Sequence, residues 1–253
     1  MCLIGLIYRQ HPDYPIILAA NRDEFYARPT ARASWWADQP ALLGGRDLQA
    51  GGTWLALHRD GRFGCLTNYR DLRQPQLTQA PSRGELVPAF LQGDASAPAY
   101  LAALDPVATD YNGFNLLLWD GTDLCHYANT SRQITPLSPG IHALSNHLLD
   151  TPWPKVERLK ASLGALMASG QASSVDALFD CLGNRELAPD SALPDTGIGL
   201  EMERSLSAMH IGMDHYGTRV ASVLRISAQG QVAFDERAFV PEGEARHFEW
   251  GTP

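Results

Sequence analysis

An α+β protein built from antiparallel sheets with helices on the outside is what this 253-residue sequence predicts. Three observations carry that expectation. Strand-like apolar runs come in blocks separated by pairs of helix-like segments, whereas strictly alternating strands and helices would signal a parallel sheet. Many of the strand-length runs are apolar at consecutive positions, so both of their faces have to be covered. Turn dipeptides such as Asp60-Gly61 and Asp120-Gly121 join neighbouring runs, as hairpins require. Two stacked antiparallel sheets with helices over their outer faces is the simplest arrangement that buries such strands.

Residues 3–8 are apolar and β-prone, His11-Pro12-Asp13 is a turn cluster, and residues 15–20 are a second apolar run. They predict a hairpin whose return strand brings Asn21-Arg22-Asp23-Glu24 back towards the N-terminus. The glycine pairs Gly44-Gly45 and Gly51-Gly52 bracket a short loop, and neither has the spacing of a Walker or dinucleotide loop. Residues 55–57 and 63–70 predict strands around Asp60-Gly61. From Ser82 the period changes: Ser82-Arg83-Gly84-Glu85 has the spacing of a capping box, and Leu86, Phe90 and Leu91 share a helical face. A second short helix is predicted over 97–104.

Strands follow at 114–119, 124–127, 135–137 and 141–144. Pro154 opens a helix with the apolar stripe Val156, Leu159, Leu163, Leu166 and Met167, and 175–182 predicts another. The segment 183–200 is rich in Pro, Gly and Asp and reads as a surface loop. Residues 216–224 and 232–234, either side of Gln229-Gly230, return to β. With no internal repeat, low-complexity tract or linker, residues 1–253 read as one domain.

Composition excludes several function classes. Hydrophobic residues make up 45% and charged residues 19%, enough for a large core. A net charge of −8 argues against a nucleic-acid partner. No apolar run reaches the length of a membrane span, and the apolar start lacks the basic flank and cleavage site of a secretory signal. Cys2, Cys65, Cys125 and Cys181 are far apart without a C-x-x-C pair, which predicts reduced thiols and a cytoplasmic address. The eight histidines show neither zinc-site nor haem-attachment spacing, so no metal and no cofactor is expected.

Chemistry concentrates at Met1-Cys2. An initiator Met before a small residue is removed, which would leave Cys2 with a thiol and a free α-amine on one Cα. With a reference pKa of about 7.7–8.0, that amine is partly a free base near neutral pH. A thiol with its own base is the N-terminal-nucleophile arrangement. The other reading of Cys2 is a strand cysteine packed as a small hydrophobe. Asp23 is placed by the hairpin to fix the amine. Asn68, where an apolar strand ends, reads either as a turn residue or as an amide donor facing a pocket, and Arg219 as either a structural ion pair or a site residue.

Met1-Cys2, Asn21-Arg22-Asp23-Glu24, Gly51-Gly52-Thr53-Trp54, Thr67-Asn68-Tyr69-Arg70 and Tyr216-Gly217-Thr218-Arg219 stand in the order that resembles the NRDE family, that of transport and Golgi organisation protein 2. The resemblance runs from Met1 to about Phe234. It implies the four-layer αββα sandwich of the N-terminal-nucleophile hydrolases. More distantly the chain is similar to the choloylglycine hydrolase and penicillin V acylase group, where a cysteine after the initiator Met is the nucleophile. That similarity implies Cys2 as nucleophile, Asp23 as its amine partner, Asn68 and Asn146 as oxyanion donors, and Arg219 as a residue that lowers the thiol pKa or orients Asp23. That group carries an Arg where this chain has Ala20, and Arg22 is the residue that could supply the charge instead. Arg22, Trp54 and Tyr69 are the substrate-binding candidates. The implied activity is hydrolysis of a linear amide or related acyl bond of a small molecule. The alternative is a non-catalytic carrier of a hydrophobic ligand, haem being the candidate that the family implies.

Overall fold

The structure, a computed structural model, describes residues 2–252. In chain order it runs β1 (Cys2–Tyr8), β2 (Ile16–Phe25), β3 (Thr30–Trp35), β4 (Leu42–Asp47), β5 (Leu55–His58), β6 (Phe63–Asn68), α1 (Leu86–Gln92) and α2 (Ala97–Leu104). Then come β7 (Phe114–Trp119), β8 (Leu124–Ala128), β9 (Gln133–Pro136), β10 (Gly140–Leu144), α3 (Pro154–Ala168), α4 (Val175–Leu182) and α5 (Leu200–Ser205). The chain closes with β11 (Tyr216–Ile226), β12 (Gln231–Phe239) and β13 (Glu242–Gly251).

The strands form two antiparallel sheets, one in the order β10-β1-β2-β11-β12-β13 and the other β3 to β9 in sequence order. Period-two alternation divides each strand between two cores. On β1 and β2, Ile4, Leu6, Tyr8, Ile16, Leu18 and Ala20 face the other sheet and meet Leu43, Leu55, Leu57, Phe63 and Leu117. Their neighbours Leu3, Ile7, Ile17 and Ala19 face outward under Val156, Leu159, Leu163 and Phe179 of α3 and α4. The second sheet is covered in the same way, Leu42, Ala56, Leu116 and Leu118 lying under Leu86, Phe90, Leu91 and Leu101 of α1 and α2. The layers are therefore α, β, β, α, as the two-sided apolar strands and the resemblance lead one to expect.

Several elements depart from the sequence reading. Ser82 does not cap a helix with its side chain; residues 83–85 form a 3-10 turn first, and α1 begins at Leu86. β3, β4, α5 and β13 were not expected, Gly44-Gly45 lying within β4 where the sequence reads as the border of a loop. β13 alternates exposed charged residues with half-buried ones and owes its place to pairing with β12. The segment read as a surface loop over 183–200 contains a 3-10 turn at Asp190–Ala192 and delivers α5. The Asn21–Glu24 quartet is part of β2 itself.

Candidate active site

The site lies at the end of the sandwich where β1 begins. The β1–β2 register pairs Cys2 with Arg22 and Leu3 with Asn21. Residues opposite one another in an antiparallel pair share a face, so Cys2 and Arg22 both turn to the space between the sheets, where they line one cleft. Asn21 turns the other way, towards the helices, while Asp23 also borders the cleft. Asn21 Nδ2 donates to the carbonyls of Leu182 and Met209 at 2.9 and 2.8 Å, which anchors the end of α4 and the loop before β11 on the sheet.

Asp23 is fully buried opposite Thr218 of β11. Thr218 Oγ1 accepts from the Ile211 N–H at 2.9 Å and donates to Asp23 Oδ1 at 2.6 Å. A hydroxyl–oxygen distance that short is typical of a donor on a carboxylate. Burial pushes the Asp23 carboxyl above its ordinary value, against the opposing pull of Lys155 and of the Thr218 hydrogen bond.

The register of β1 on β10, continued two residues past Leu144, brings Asn146 opposite Cys2. Ser145 Oγ donates to the Cys2 carbonyl at 3.3 Å. Asn146 Nδ2 donates to the Asn68 carbonyl at 3.0 Å, and the Asn146 carbonyl accepts from Arg70 N at 2.7 Å. Asn146 thus ties the end of β6 to the end of β10, joining the two sheets beside the nucleophile candidate. One of its two amide hydrogens is committed to this link, and Asn146 does not line the cleft.

The cleft holds about 440 Å³ and is lined by Cys2, Arg22, Glu24, Trp54, Asn68 and Arg83, among others. Gly52 shapes one wall: a Cβ there would collide with the backbone of Gly84, and Thr53 N donates to the Gly84 carbonyl at 2.9 Å. Arg22 is buried, reaches Glu24 at 3.8 Å, and leaves Nη1 without a hydrogen-bond partner among the described residues. Beside the cleft runs an apolar groove of about 360 Å³ lined by Phe25, Leu72, Ile198, Met202, Leu206, Met213 and Tyr216. Glu24, Phe25, Asn68 and Arg83 line both. Tyr69 lines the groove only, its hydroxyl 2.8 Å from His147 Nε2.

Two expectations are corrected. Arg219 is not placed against Cys2. It sits at a register shift between Thr218 and Val220, and its guanidinium donates to the carbonyls of Phe25, Arg28 and Val240, so it anchors the turn between β2 and β3. Nor is the Cys2 thiol depressed: burial pushes it up to about 11, with Asp23 and Glu24 adding to the rise and Arg22 opposing it. Among the described residues Arg22 of the neighbouring strand, and not Arg219, is a cation that opposes this rise. Met1 and its removal lie outside the described residues.

Behind the cleft is a polar cluster that the sequence reading missed. Arg70 donates to Glu203 at 2.7 Å and to Thr196 Oγ1 at 3.1 Å, and stacks over Trp153 at 4.8 Å. Lys155 in the first turn of α3 is 2% exposed. Its signal was present, since it stands four residues before Leu159 in the apolar stripe, at a position where a charge is out of place. Among the described residues no group of three or more His, Cys, Asp or Glu side chains is placed to hold a metal, and no helix is long and apolar enough to cross a membrane.

Comparison with known proteins adds four findings. The family model described as Transport and Golgi organisation 2 matches residues 1–241. The human Transport and Golgi organization protein 2 homolog is 37% identical over 274 residues, covering 100% of this chain and 98% of its own. Among solved structures, the C2A mutant of conjugated bile acid hydrolase from Clostridium perfringens superposes with a TM-score of 0.53 at 8% identity, covering 100% of this chain and 98% of that one. The Caenorhabditis elegans N-acylethanolamine-hydrolyzing acid amidase ortholog gives 0.51 at 9% identity, covering 88% and 92%. At these identities the structural likeness establishes the fold.

Proposed function

The chain belongs to the Transport and Golgi organisation 2 family, and from that premise we propose that it is an N-terminal-cysteine hydrolase acting on an amide or related acyl bond. The observation that carries the reading is the position of Cys2, at the first residue of a central strand and on the wall of a cleft that Arg22 and Asn68 also line. The bile acid hydrolase with the same fold is known in a C2A form, which places a cysteine at position 2 of that protein too.

In the proposed reaction Met1 is removed first. The Cys2 α-amine takes the thiol proton, directly or through water, and the sulfur attacks the acyl carbon. Charge developing on the carbonyl oxygen is met by the Asn68 amide in the cleft, with Arg22 adding positive charge from the wall and Asn146 holding Asn68 in place. The ammonium returns its proton to the leaving amine as the C–N bond breaks and a thioester forms. Water then hydrolyses the thioester, giving the acid and restoring the thiol. Asp23 orients the amine, Trp54 lines the polar side, and the apolar groove beside Tyr69 receives the hydrophobic part of the substrate.

The test uses protein shown by intact mass to have lost Met1, incubated with a panel of N-acyl amides and quenched in acid. An acyl adduct mapped to Cys2 and absent from Cys2→Ala supports the reading. Quantitative retention of Met1, or Cys2 labelling by iodoacetamide no faster than Cys65, Cys125 or Cys181, overturns it.

The apolar groove also favours a second reading, a carrier of a hydrophobic ligand. Its lining includes Met202 and Met213 and neither His nor Cys. Saturable one-to-one haem binding that survives Cys2→Ser and is lost in Met213→Ala would favour the carrier.

A further inference from the structure

Lys155 occupies a position where no packing argument calls for a charge. α3 lies across the outer face of β1: Leu159 fills the notch over Gly5, where a Cβ would come within 2.7 Å of its Cδ2, and Gly164 approaches Ile141, the partner of Ile7. One turn back from Leu159, about 6 Å along the axis, Lys155 reaches the level at which β1 begins. It is 2% exposed, and its Nζ has no hydrogen-bond partner among the described residues. Burying an ammonium without hydrogen bonds destabilises a fold. A leucine or methionine would continue the stripe without that cost.

The charged and titratable groups around Lys155 come from every neighbouring element: Asp23 of β2, Cys2 of β1, Arg70 beyond β6, Glu203 of α5, and the Tyr216 hydroxyl of β11, which interacts with Asp23 and Cys2. Arg70 and Glu203 are bonded to each other at 2.7 Å and largely offset one another. Asp23 is the largest attraction acting on Lys155, and Lys155 the largest acting on Asp23.

We propose that the Lys155 ammonium, held behind Asp23, is a positioning charge that keeps the α-amine of Cys2 in its free-base form once Met1 has been removed. The inference rests on the N-terminal-nucleophile reading. One buried carboxylate balances one cation. With Lys155 charged, protonating the α-amine would place a second cation on Asp23, and like charges in a buried site disfavour the second proton. Without Lys155, Asp23 would draw a proton onto the amine and block its use as a base. Burial also pushes Lys155 down to about 8, so it is charged across most of the neutral range without being fixed there.

The test follows cyanate carbamoylation of the α-amine across pH in Met1-free protein, read by peptide mapping. The midpoint in the native chain is expected below the ordinary range of about 7.7–8.0. Lys155→Met, which keeps the apolar stem, is expected to raise it by about one pH unit, a roughly tenfold loss of free amine on the acid side. Lys155→Arg is expected to keep the low midpoint. An unchanged midpoint in Lys155→Met overturns the inference. So does a native midpoint at or above the ordinary range, which needs no variant and decides the matter if Lys155→Met does not fold. Iodoacetamide labelling run in parallel separates the two levels: fast Cys2 labelling with an unmoved amine sinks the role of Lys155 alone, whereas unselective labelling sinks the nucleophile.

Discussion

Cys2 and Arg22 stand directly opposite each other in the β1–β2 ladder, both on the wall of the cleft between the sheets. The pairing is fixed by a hairpin whose strands are apolar on both faces, so a slip of one residue would carry Arg22 into the helix-side core. The Asn-Arg-Asp-Glu quartet is thereby divided: Asn21 bonds carbonyls on the helix side, Arg22 and Glu24 line the cleft, and Asp23 borders the cleft while its carboxyl bonds Thr218 of β11.

Arg22 opposes the rise of the Cys2 thiol caused by burial. Arg22→Gln is therefore expected to slow iodoacetamide labelling of Cys2 at pH 8 by roughly tenfold, equivalent to about one unit in the thiol pKa. Equal rates in the two proteins would remove Arg22 from any role in activating the sulfur.

Arg219 gives the opposite expectation. Its guanidinium holds three backbone carbonyls in a buried position, so Arg219→Ala should lower stability by roughly 2–4 kcal/mol in urea melts. The pH profile of Cys2 labelling should stay where it is. A displaced profile in a folded Arg219→Ala protein would restore the electrostatic role that the similarity implied.

Asn21→Ala strips the donor from the Leu182 and Met209 carbonyls inside the protein. Two buried acceptors left unpaired should cost about 2–4 kcal/mol, with α4 loosened from the sheet. Hydrogen exchange localised to residues 175–182 would show this. Uniform exchange across the chain would contradict it.

Acid should destabilise the fold through its buried histidines. His126 bonds Asn115 Oδ1 at 2.9 Å, and burial pushes its pKa down to about 4; His210, beside Arg185, is also pushed to about 4, by burial first. Both are neutral when folded and titrate near 6.5 when unfolded. Between about pH 6.5 and 4 the unfolded chain binds more protons, so stability falls as pH drops through that window and levels off below it. His126→Gln should flatten the slope of Tm against pH there. A slope identical to that of the native chain would exclude His126 as its source.

How much of this was legible depends on whether the cause is local. Two-sided apolar runs, hairpin dipeptides and the stripe Leu159–Leu163 determine strands, turns and helices through chain neighbours, and those elements appear where the sequence predicts them. β3, β4, α5 and β13 carry weak local signals and exist because another element is there to pair with or pack on; β13, with Glu242, Glu244, Arg246 and Glu249 along it, needs β12 to supply its ladder. The same division runs through the site. Residue types and the hairpin pointed to Cys2 and brought Asp23 to its strand, because that geometry is contained in one turn of chain. Only the tertiary structure decided which cation faces the sulfur, since a one-residue register shift aims Arg219 at a turn and leaves Arg22 in the cleft. Only the tertiary structure, too, set the burial that raises the thiol and strands an ammonium at Lys155, because desolvation is imposed by four packed layers and belongs to no stretch of sequence.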